Sequence, residues 1–183
     1  MRISLIATIV LLCSASMYGQ LPSRSERQGT YLPPTEFREL PRGIVADLKQ
    51  RGCLVPQYGG TGEPNNVIRG EFARPGEMDW AVLCSVRGVS SILVYWKGET
   101  RAPASLAPRE ERTYFARDPQ GRPLFLRAIQ PVGREFILKH YRAYGGPKPP
   151  TIDHQGIDDA FLDKASIVWY LKGRSWLKLT GAD

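Results

Sequence analysis

The chain has 183 residues, of which 42% are hydrophobic and 23% are charged, a composition that is typical of a globular protein and excludes a largely disordered chain. The net charge of +7 at pH 7 raises the question of a nucleic-acid partner. However, the basic excess between residues 84 and 148 is spaced singly, as at Arg117, Arg122, Arg127 and Arg134, with no run of adjacent cations. We interpret these cations as the solvated side of strands and loops, and we expect no nucleic-acid partner.

Residues 1–19 have the layout of a secretory signal peptide. Arg2 precedes a mostly apolar run without charges over residues 3–13, and small and polar residues follow up to Gly19. The run is too short to span a bilayer as a stable anchor. We therefore predict a cleaved signal peptide, a secreted or periplasmic protein, and no membrane span after cleavage, the alternative being a retained N-terminal anchor. Residues 20–34 are rich in serine, arginine and proline and are predicted to form a flexible leader.

Removal of the signal peptide takes Cys13 away and leaves Cys53 and Cys84 in the mature chain. Two cysteines in an oxidising compartment favour a single disulfide, which would close a loop of about 30 residues and stabilise the fold by roughly 3 kcal/mol. The alternative is a pair of buried thiols. The bridge predicts a distance of about 5–6 Å between the two α-carbons.

The elements that follow indicate a mixed fold. Apolar residues at three- and four-residue spacing predict a helix over residues 41–50, with Pro41 in its first turn and Gly52 after its end. Residues 59–66 read as a loop. Three strands are predicted over residues 67–72, 80–86 and 92–97, and the last two are apolar at nearly every position, as expected for strands that are covered on both faces.

The second half of the chain begins with a proline-containing excursion over residues 98–112. Residues 113–116 and 124–129 are predicted to pair across a turn. A helix over residues 136–144 ends at Gly145. The final pattern is a hairpin of residues 166–171 and 176–179, whose strands carry large apolar groups on both sides and therefore should belong to the sheet. We predict a single α+β domain over residues 35–183, with one antiparallel sheet and two or three short helices.

Residues 66–85 resemble one FG-GAP repeat, the calcium-binding module of integrin-type propellers. The positions of that motif are occupied here by Glu71, Phe72, Gly76 and Asp79. Such repeats place oxygen-bearing side chains at alternate positions around a calcium ion. Ala73 and Pro75 stand at the two central ligand positions and supply no side-chain oxygen, so we predict a turn without a tight calcium site. One such module cannot form a propeller, which needs at least four blades of about 40 to 60 residues each.

A second candidate site is the acidic region over residues 153–163. Four carboxylates surround one imidazole in this region: Asp153, His154, Asp158, Asp159 and Asp163. Such a group can hold a cation or serve a small hydrolase. The alternative, which the spacing favours, is that Asp158 and Asp159 lie at a helix start and stabilise its exposed N–H groups, with Asp163 in solvent.

Aromatic residues supply the remaining candidate for binding. The four tryptophans lie at predicted strand positions, and Tyr95 and Tyr170 are adjacent to two of them. Because neighbouring strand positions face opposite sides of a sheet, one ring of each pair can belong to the core and the other to a platform for sugars or peptides. The candidate binding residues are Trp80, Tyr95, Trp96, Tyr144, His154 and Tyr170.

No established catalytic motif is present, which weighs against an enzyme. We therefore predict an exported, non-catalytic binding or interaction module without a cofactor. Its ligand is left open between an envelope glycan, peptidoglycan and another envelope protein. The alternative is a small exported hydrolase that uses the acidic region over residues 153–163.

Overall fold

A computed structural model describes residues 31–59 and 63–180 of the protein. Two α-helices lie in this part of the chain, α1 (Arg42–Gln50) and α2 (Arg134–Tyr144). Its strands are β1 (Tyr31–Leu32), β2 (Val55–Pro56), β3 (Val67–Gly70), β4 (Asp79–Val86), β5 (Val89–Tyr95), β6 (Ala104–Glu110), β7 (Phe115–Arg117), β8 (Pro123–Phe125), β9 (Arg127–Val132), β10 (Gly156–Phe161), β11 (Ala165–Lys172) and β12 (Ser175–Thr180). Short 3₁₀ turns at Pro34–Glu36, Trp96–Gly98 and Glu111–Tyr114 complete the elements.

The strands form two four-stranded antiparallel sheets and two small ribbons. The first sheet has the order β3-β4-β5-β6 and the second has the order β12-β11-β10-β9. The ribbons pair β1 with β2 and β7 with β8. The prediction of an α+β fold built on antiparallel strands is therefore confirmed, whereas the prediction of a single sheet is wrong. Two sheets form because β10 pairs with β9 on one side and with β11 of the terminal hairpin on the other, rather than with the first sheet.

The two sheets and two helices are stacked in the order α1, first sheet, second sheet, α2. Val82 and Cys84 of β4 face Ile44 and Leu48 of α1 in one buried cluster. Ala81 and Leu83, the alternate positions of β4, face a second cluster that includes Ile129 and Ile157 of the second sheet. The prediction that these central strands are covered on both faces is confirmed, and the uninterrupted apolar sequence of β4 follows from it.

The outer face of the second sheet is covered by α2. Val168, Tyr170 and Leu179 from the terminal hairpin pack against Ile137 of α2 in a third buried cluster. β11 lies inside its sheet between β10 and β12, and the hairpin turns through Gly173 at a φ of 63° between the paired Lys172 and Ser175. The terminal hairpin is therefore part of the sheet, as predicted. Trp169 and Trp176 are partly buried against the second cluster, whereas Tyr170 is the aromatic ring that the hairpin buries completely.

The side chain of Asn66 joins the two sheets. Its Nδ2 donates to the carbonyl oxygens of Pro56 at 2.7 Å and Arg127 at 3.0 Å, and its Oδ1 accepts from the backbone N–H of Ile129 at 3.0 Å. The residue has a φ of 66° and is 2% exposed. Asparagine tolerates this left-handed conformation better than most residues, and its amide replaces the backbone hydrogen bonds that a continuous sheet would have made.

The disulfide between Cys53 and Cys84 is present, with 5.4 Å between the α-carbons, so this prediction is confirmed. It ties the chain that follows α1 to the centre of the first sheet. The helix predictions for residues 41–50 and 136–144 agree with α1 and α2. Within the described part of the chain, no helix is long and apolar enough to cross a membrane.

Other boundaries differ from those expected. Tyr31 and Leu32, which fall within the predicted leader, pair with β2. The excursion over residues 98–112 contains β6, the edge strand of the first sheet. The predicted signal peptide and most of the predicted leader lie outside the described residues, and so does the centre of the loop predicted over residues 59–66.

Candidate functional site

A cleft of about 390 Å³ lies where three segments meet beside the terminal hairpin. The segments are residues 73–75, residues 150–154 and residues 170–173, and we call this feature the hairpin cleft. The first segment follows β3, the second leads into β10, and the third is the end of β11 with its turn. Loops from three parts of the sequence therefore form its walls, on a scaffold of two sheets.

The buried carboxylate of Asp79 holds the first wall. Its Oδ2 accepts from the backbone N–H groups of Phe72 at 3.2 Å and Ala73 at 3.0 Å, and its Oδ1 accepts from that of Lys97 at 2.9 Å. These contacts fold residues 72–73 against the start of β4. The last acid of the motif that resembles an FG-GAP repeat thus organises the backbone of the loop.

The second wall is attached to the first by Gln155. Its side-chain oxygen accepts from the backbone N–H of Glu71 at 2.9 Å, and its own N–H donates to the carbonyl of Glu71 at 2.9 Å. Gly70 permits this approach, because a β-carbon there would lie 2.8 Å from the side-chain oxygen of Gln155 and 2.7 Å from the ring of Phe72. Any larger residue at position 70 would separate the two walls.

His154 and Tyr170 form the floor of the cleft. Their rings stack with 4.3 Å between centroids and 5° between planes. The Nδ1 atom of His154 lies 2.9 Å from the carbonyl oxygen of Gln155, and its Nε2 lies 2.8 Å from that of Leu171. A neutral imidazole donates to only one of these oxygens, and a protonated imidazole donates to both. Either way, both ring nitrogens face the protein's own backbone.

The hydroxyl of Tyr170 attaches the second wall to the hairpin. It donates to Oδ1 of Asp153 at 2.9 Å and accepts from the backbone N–H of Asp153 at 3.2 Å. Burial raises the pKa of the Tyr170 phenol, so the hydroxyl keeps its proton at neutral pH. The floor of the cleft is therefore a neutral hydroxyl and a histidine ring that are both occupied within the protein.

The rim carries the charges that remain available. The side chain of Arg74 is 76% exposed, and its guanidinium lies 3.8 Å from Glu77. Lys172 is exposed, and no ion pair to it is found among the described residues. The side chain of Asp153 is 65% exposed, and no described residue donates a hydrogen bond to its Oδ2. Each wall of the cleft thus presents one charged group to solvent.

The structure brings four of the six candidate binding residues together in two separate pairs: His154 stacks on Tyr170, and Trp80 lies opposite Tyr95 on the neighbouring strands β4 and β5. Trp80 lies at the edge of the first cluster with Arg69 over its ring, and Tyr95 is fully buried in that cluster, where it donates to Asp47. Trp96 is in a 3₁₀ turn rather than a strand and stacks on Trp176 at 6.0 Å. Tyr144 is 53% exposed at the end of α2. The six residues therefore do not form a common platform.

The expectation that Asp158 and Asp159 cap a helix is wrong, because both lie in strand β10 and are buried. Asp158 accepts from the hydroxyl of Ser166 and, at 2.9 Å, from the side chain of Gln130. Asp159 faces the other side of the sheet. Asp163 lies exposed in the turn between β10 and β11, at a φ of 61°. Of the four carboxylates in the acidic region, only that of Asp153 lies near His154, with 3.8 Å between its Oδ1 and the Nε2 of His154.

Asp159 belongs to a buried ion pair with Arg127. The Nε of Arg127 donates to Oδ1 of Asp159 at 2.8 Å, and its Nη2 donates to Oδ2 at 2.9 Å. The remaining guanidinium hydrogens reach the carbonyl and hydroxyl of Ser90 and the carbonyl of Ala107. The interpretation of Arg127 as a solvated cation is wrong, since it is 0% exposed. Strand alternation could have revealed this pair, because side chains two positions apart on a strand face the same side of the sheet. Arg127 is two residues from buried Ile129, and Asp159 is two residues from buried Ile157.

Within the described part of the chain, no group of three or more histidines, cysteines or acids is arranged to hold a metal ion. Comparison with family models, curated proteins and solved structures finds no match to this chain. The hairpin cleft is the site whose chemistry can be described: a closed, hydrogen-bonded floor below a rim with two cations and one carboxylate. Such an arrangement suits polar and charged contacts to a ligand.

Proposed function

We propose that this protein is an exported, non-catalytic binding module that holds a segment of an envelope glycan in the hairpin cleft. The observation that carries this proposal is the difference in hydrogen bonding between the floor and the rim of the cleft. Its floor groups are engaged with the protein itself, and its rim groups are available to a ligand. A binding site needs contact groups on a preorganised frame, and the cleft has both.

The hydrogen bonds of the floor groups also argue against hydrolysis at this site. A general base needs a lone pair within hydrogen-bond reach of the substrate, directly or through one water. Both nitrogens of His154 already face backbone oxygens at 2.8–2.9 Å, and the ring is covered by Tyr170. The carboxylates of Asp158 and Asp159 are buried away from the cleft in other hydrogen bonds. The hydrolase alternative therefore loses three of its groups, His154, Asp158 and Asp159, to contacts that build the fold, and of its acids only Asp153 lines the cleft.

Export is supported by the signal-peptide pattern of residues 1–19 together with the disulfide between Cys53 and Cys84. Disulfides persist mainly in oxidising compartments outside the cytosol. A glycan suits an open cleft with polar walls better than a deep apolar pocket would, because sugar hydroxyls need partners for their hydrogen bonds. An envelope polymer would meet an exported protein without having to enter a cell.

The test is a binding screen of the oxidised mature protein against peptidoglycan and a panel of envelope polysaccharides, with and without calcium. The cleft-filling variant Thr151→Trp changes an exposed wall residue and should abolish binding. Gln120→Trp, which introduces the same side chain in an exposed turn outside the cleft, should bind as the unmodified protein does. Binding that survives Thr151→Trp would refute the assignment of the cleft, and turnover of a bound polymer would refute the non-catalytic function.

A further inference from the structure

We infer that the hairpin cleft selects an acidic, hydroxyl-rich polymer, that is, a chain of sugars or polyols that carries carboxylate or phosphodiester groups. The inference rests on the function proposed above and specifies the chemical class of its ligand. It is carried by three charged side chains of the rim, one on each wall, and by how far each is already paired within the protein.

The two cations of the rim are available for an anion. Arg74 is 76% exposed, and its nearest carboxylate, at 3.8 Å, is that of Glu77, which also pairs with Lys97 at 3.2 Å. Lys172 is exposed at the end of β11 and has no ion pair among the described residues. Guanidinium and ammonium groups donate strong, charge-assisted hydrogen bonds to carboxylates and phosphates. Both cations line the same cleft, on different walls, so an acidic group in the cleft has two possible cationic partners.

The carboxylate of Asp153 requires that the ligand also donate hydrogen bonds. Its Oδ1 is held by the hydroxyl of Tyr170 at 2.9 Å, which fixes the side chain, and no described residue donates to Oδ2. A polyanion that lacks hydroxyls would place negative charge beside this carboxylate without a donor to satisfy it. A sugar or polyol supplies O–H donors next to its acidic group, so Asp153 discriminates between the two kinds of anion.

Two further features fit a long acidic polymer. Pro75, Pro150 and Leu171 line the cleft and offer apolar surface to the C–H faces of a sugar ring. The positive net charge, which is +7 with residues 1–19 included, raises the local concentration of anionic polymers around the protein. This long-range attraction does not depend on the cleft, so the test has to separate it from contacts with Arg74 and Lys172.

Isothermal titration calorimetry at 0.15 M salt should use four probes of matched length. They are oligogalacturonate, which carries carboxylates, an oligomer of glycerol phosphate, which carries phosphodiesters, neutral dextran, and polyphosphate, which has no hydroxyls. We expect one of the two acidic polyols to bind at least about tenfold more tightly than dextran and polyphosphate. Which of the two binds more tightly identifies the source of the acidic group. Failure of both to bind, or equal binding of dextran, would overturn the inference.

Charge variants then locate the contacts. Arg74→Gln and Lys172→Gln should each weaken binding of the preferred polymer about tenfold. The controls Arg109→Gln and Lys139→Gln remove one exposed charge each outside the cleft and should change the affinity less than about twofold, because salt screens distant charges. If the cleft variants and the control variants lose the same affinity, the attraction comes from net charge alone and the inference is overturned.

Asp153→Asn keeps an oxygen for the hydroxyl of Tyr170 and removes the negative charge. We expect this variant to bind polyphosphate more tightly than the unmodified protein does, and an unchanged preference would overturn the role of Asp153. Thr151→Trp separates this inference from the proposed function. If Thr151→Trp blocks polymer binding while Arg74→Gln and Lys172→Gln have no effect, the cleft binds but the acidic class is wrong. If Thr151→Trp does not block binding, both proposals fail.

Discussion

Removal of Asp159 should destabilise the protein strongly, because its buried carboxylate is the counter-charge of Arg127. Arg127 and Asp159 are 0% and 6% exposed, and the guanidinium of Arg127 uses all of its N–H groups in hydrogen bonds. In Asp159→Ala, two of these donors lose their acceptor and the positive charge stays buried without a counter-charge. Breaking a buried pair in this way costs about 3–5 kcal/mol, which is a large fraction of the stability of a typical domain.

The measurement is equilibrium unfolding of the oxidised protein in urea, followed by tryptophan fluorescence. Glu110→Ala is the control, because its partner Arg112 forms an exposed ion pair at 2.8 Å that should contribute less than about 1 kcal/mol. The double variant Arg127→Met with Asp159→Leu should lose less stability than Asp159→Ala alone, since no unpaired charge remains.

If Asp159→Ala does not fold, Asp159→Asn gives the milder version of the same test, because it keeps one acceptor oxygen. A cost for Asp159→Ala below about 1 kcal/mol would refute the argument. The argument would also fail if the double variant lost as much stability as Arg127→Met and Asp159→Leu lose together when each is measured alone, because the two side chains would then not be coupled.

Three further predictions follow from named contacts. The hydrogen bond from Arg51 holds the pKa of Asp47 below its ordinary value, and the hydrogen bond from Tyr95 makes a smaller contribution. The ionised carboxylate of Asp47 therefore stabilises the folded protein above the unfolded pKa near 3.8, and this stabilisation is lost as the pH falls through the lower, folded pKa. The difference in unfolding free energy between the unmodified protein and Asp47→Asn should therefore shrink between pH 5 and pH 2, and a constant difference would contradict this. Calcium should bind at Asp79 no more tightly than about millimolar, because both carboxylate oxygens of Asp79 already accept backbone hydrogen bonds. Calorimetry that finds micromolar calcium binding, lost in Asp79→Ala, would disprove this prediction. Truncation after Asp163 removes β11 and β12 with buried Val168, Tyr170 and Leu179, so the shortened chain should lose cooperative unfolding, and an unchanged melting temperature would show that the hairpin is dispensable.

Local patterns in the sequence were sufficient where an element is defined by its own residues. The helices, the central strands and the terminal hairpin follow from apolar spacing and from Gly52, Gly145 and Gly173 at their ends. The disulfide followed from counting the cysteines outside the predicted signal peptide. In each case the physical cause is short in range, since periodicity and turn conformation depend on neighbours within a few residues.

The candidate site could be predicted only in part. His154 and Tyr170 were identified by residue type, and Asp153 as part of the acidic region. Their contacts could not be predicted, because the hydrogen bonds from His154 to Leu171 and from Tyr170 to Asp153 join residues that are 17 positions apart in the chain. Arg74 and Lys172 gave no signal, since an exposed cation in a turn is ordinary. Their common position on the cleft depends on the folded arrangement of three loops.

Tertiary structure also determined that Asp158 and Asp159 lie in a strand rather than at a helix start. The sequence of β10, with Asp158 and Asp159 after a glycine, matches the start of a helix as well as it matches a strand. Burial of Asp159 is favourable only because Arg127, 32 residues away in the chain, supplies a counter-charge and two hydrogen bonds. The sequence by itself determined the local elements, the bridge between Cys53 and Cys84 and the mixed α+β class. The pairing of Arg127 with Asp159, the division into two sheets and the cleft beside the hairpin depend on long-range contacts, whose free energy no local pattern contains.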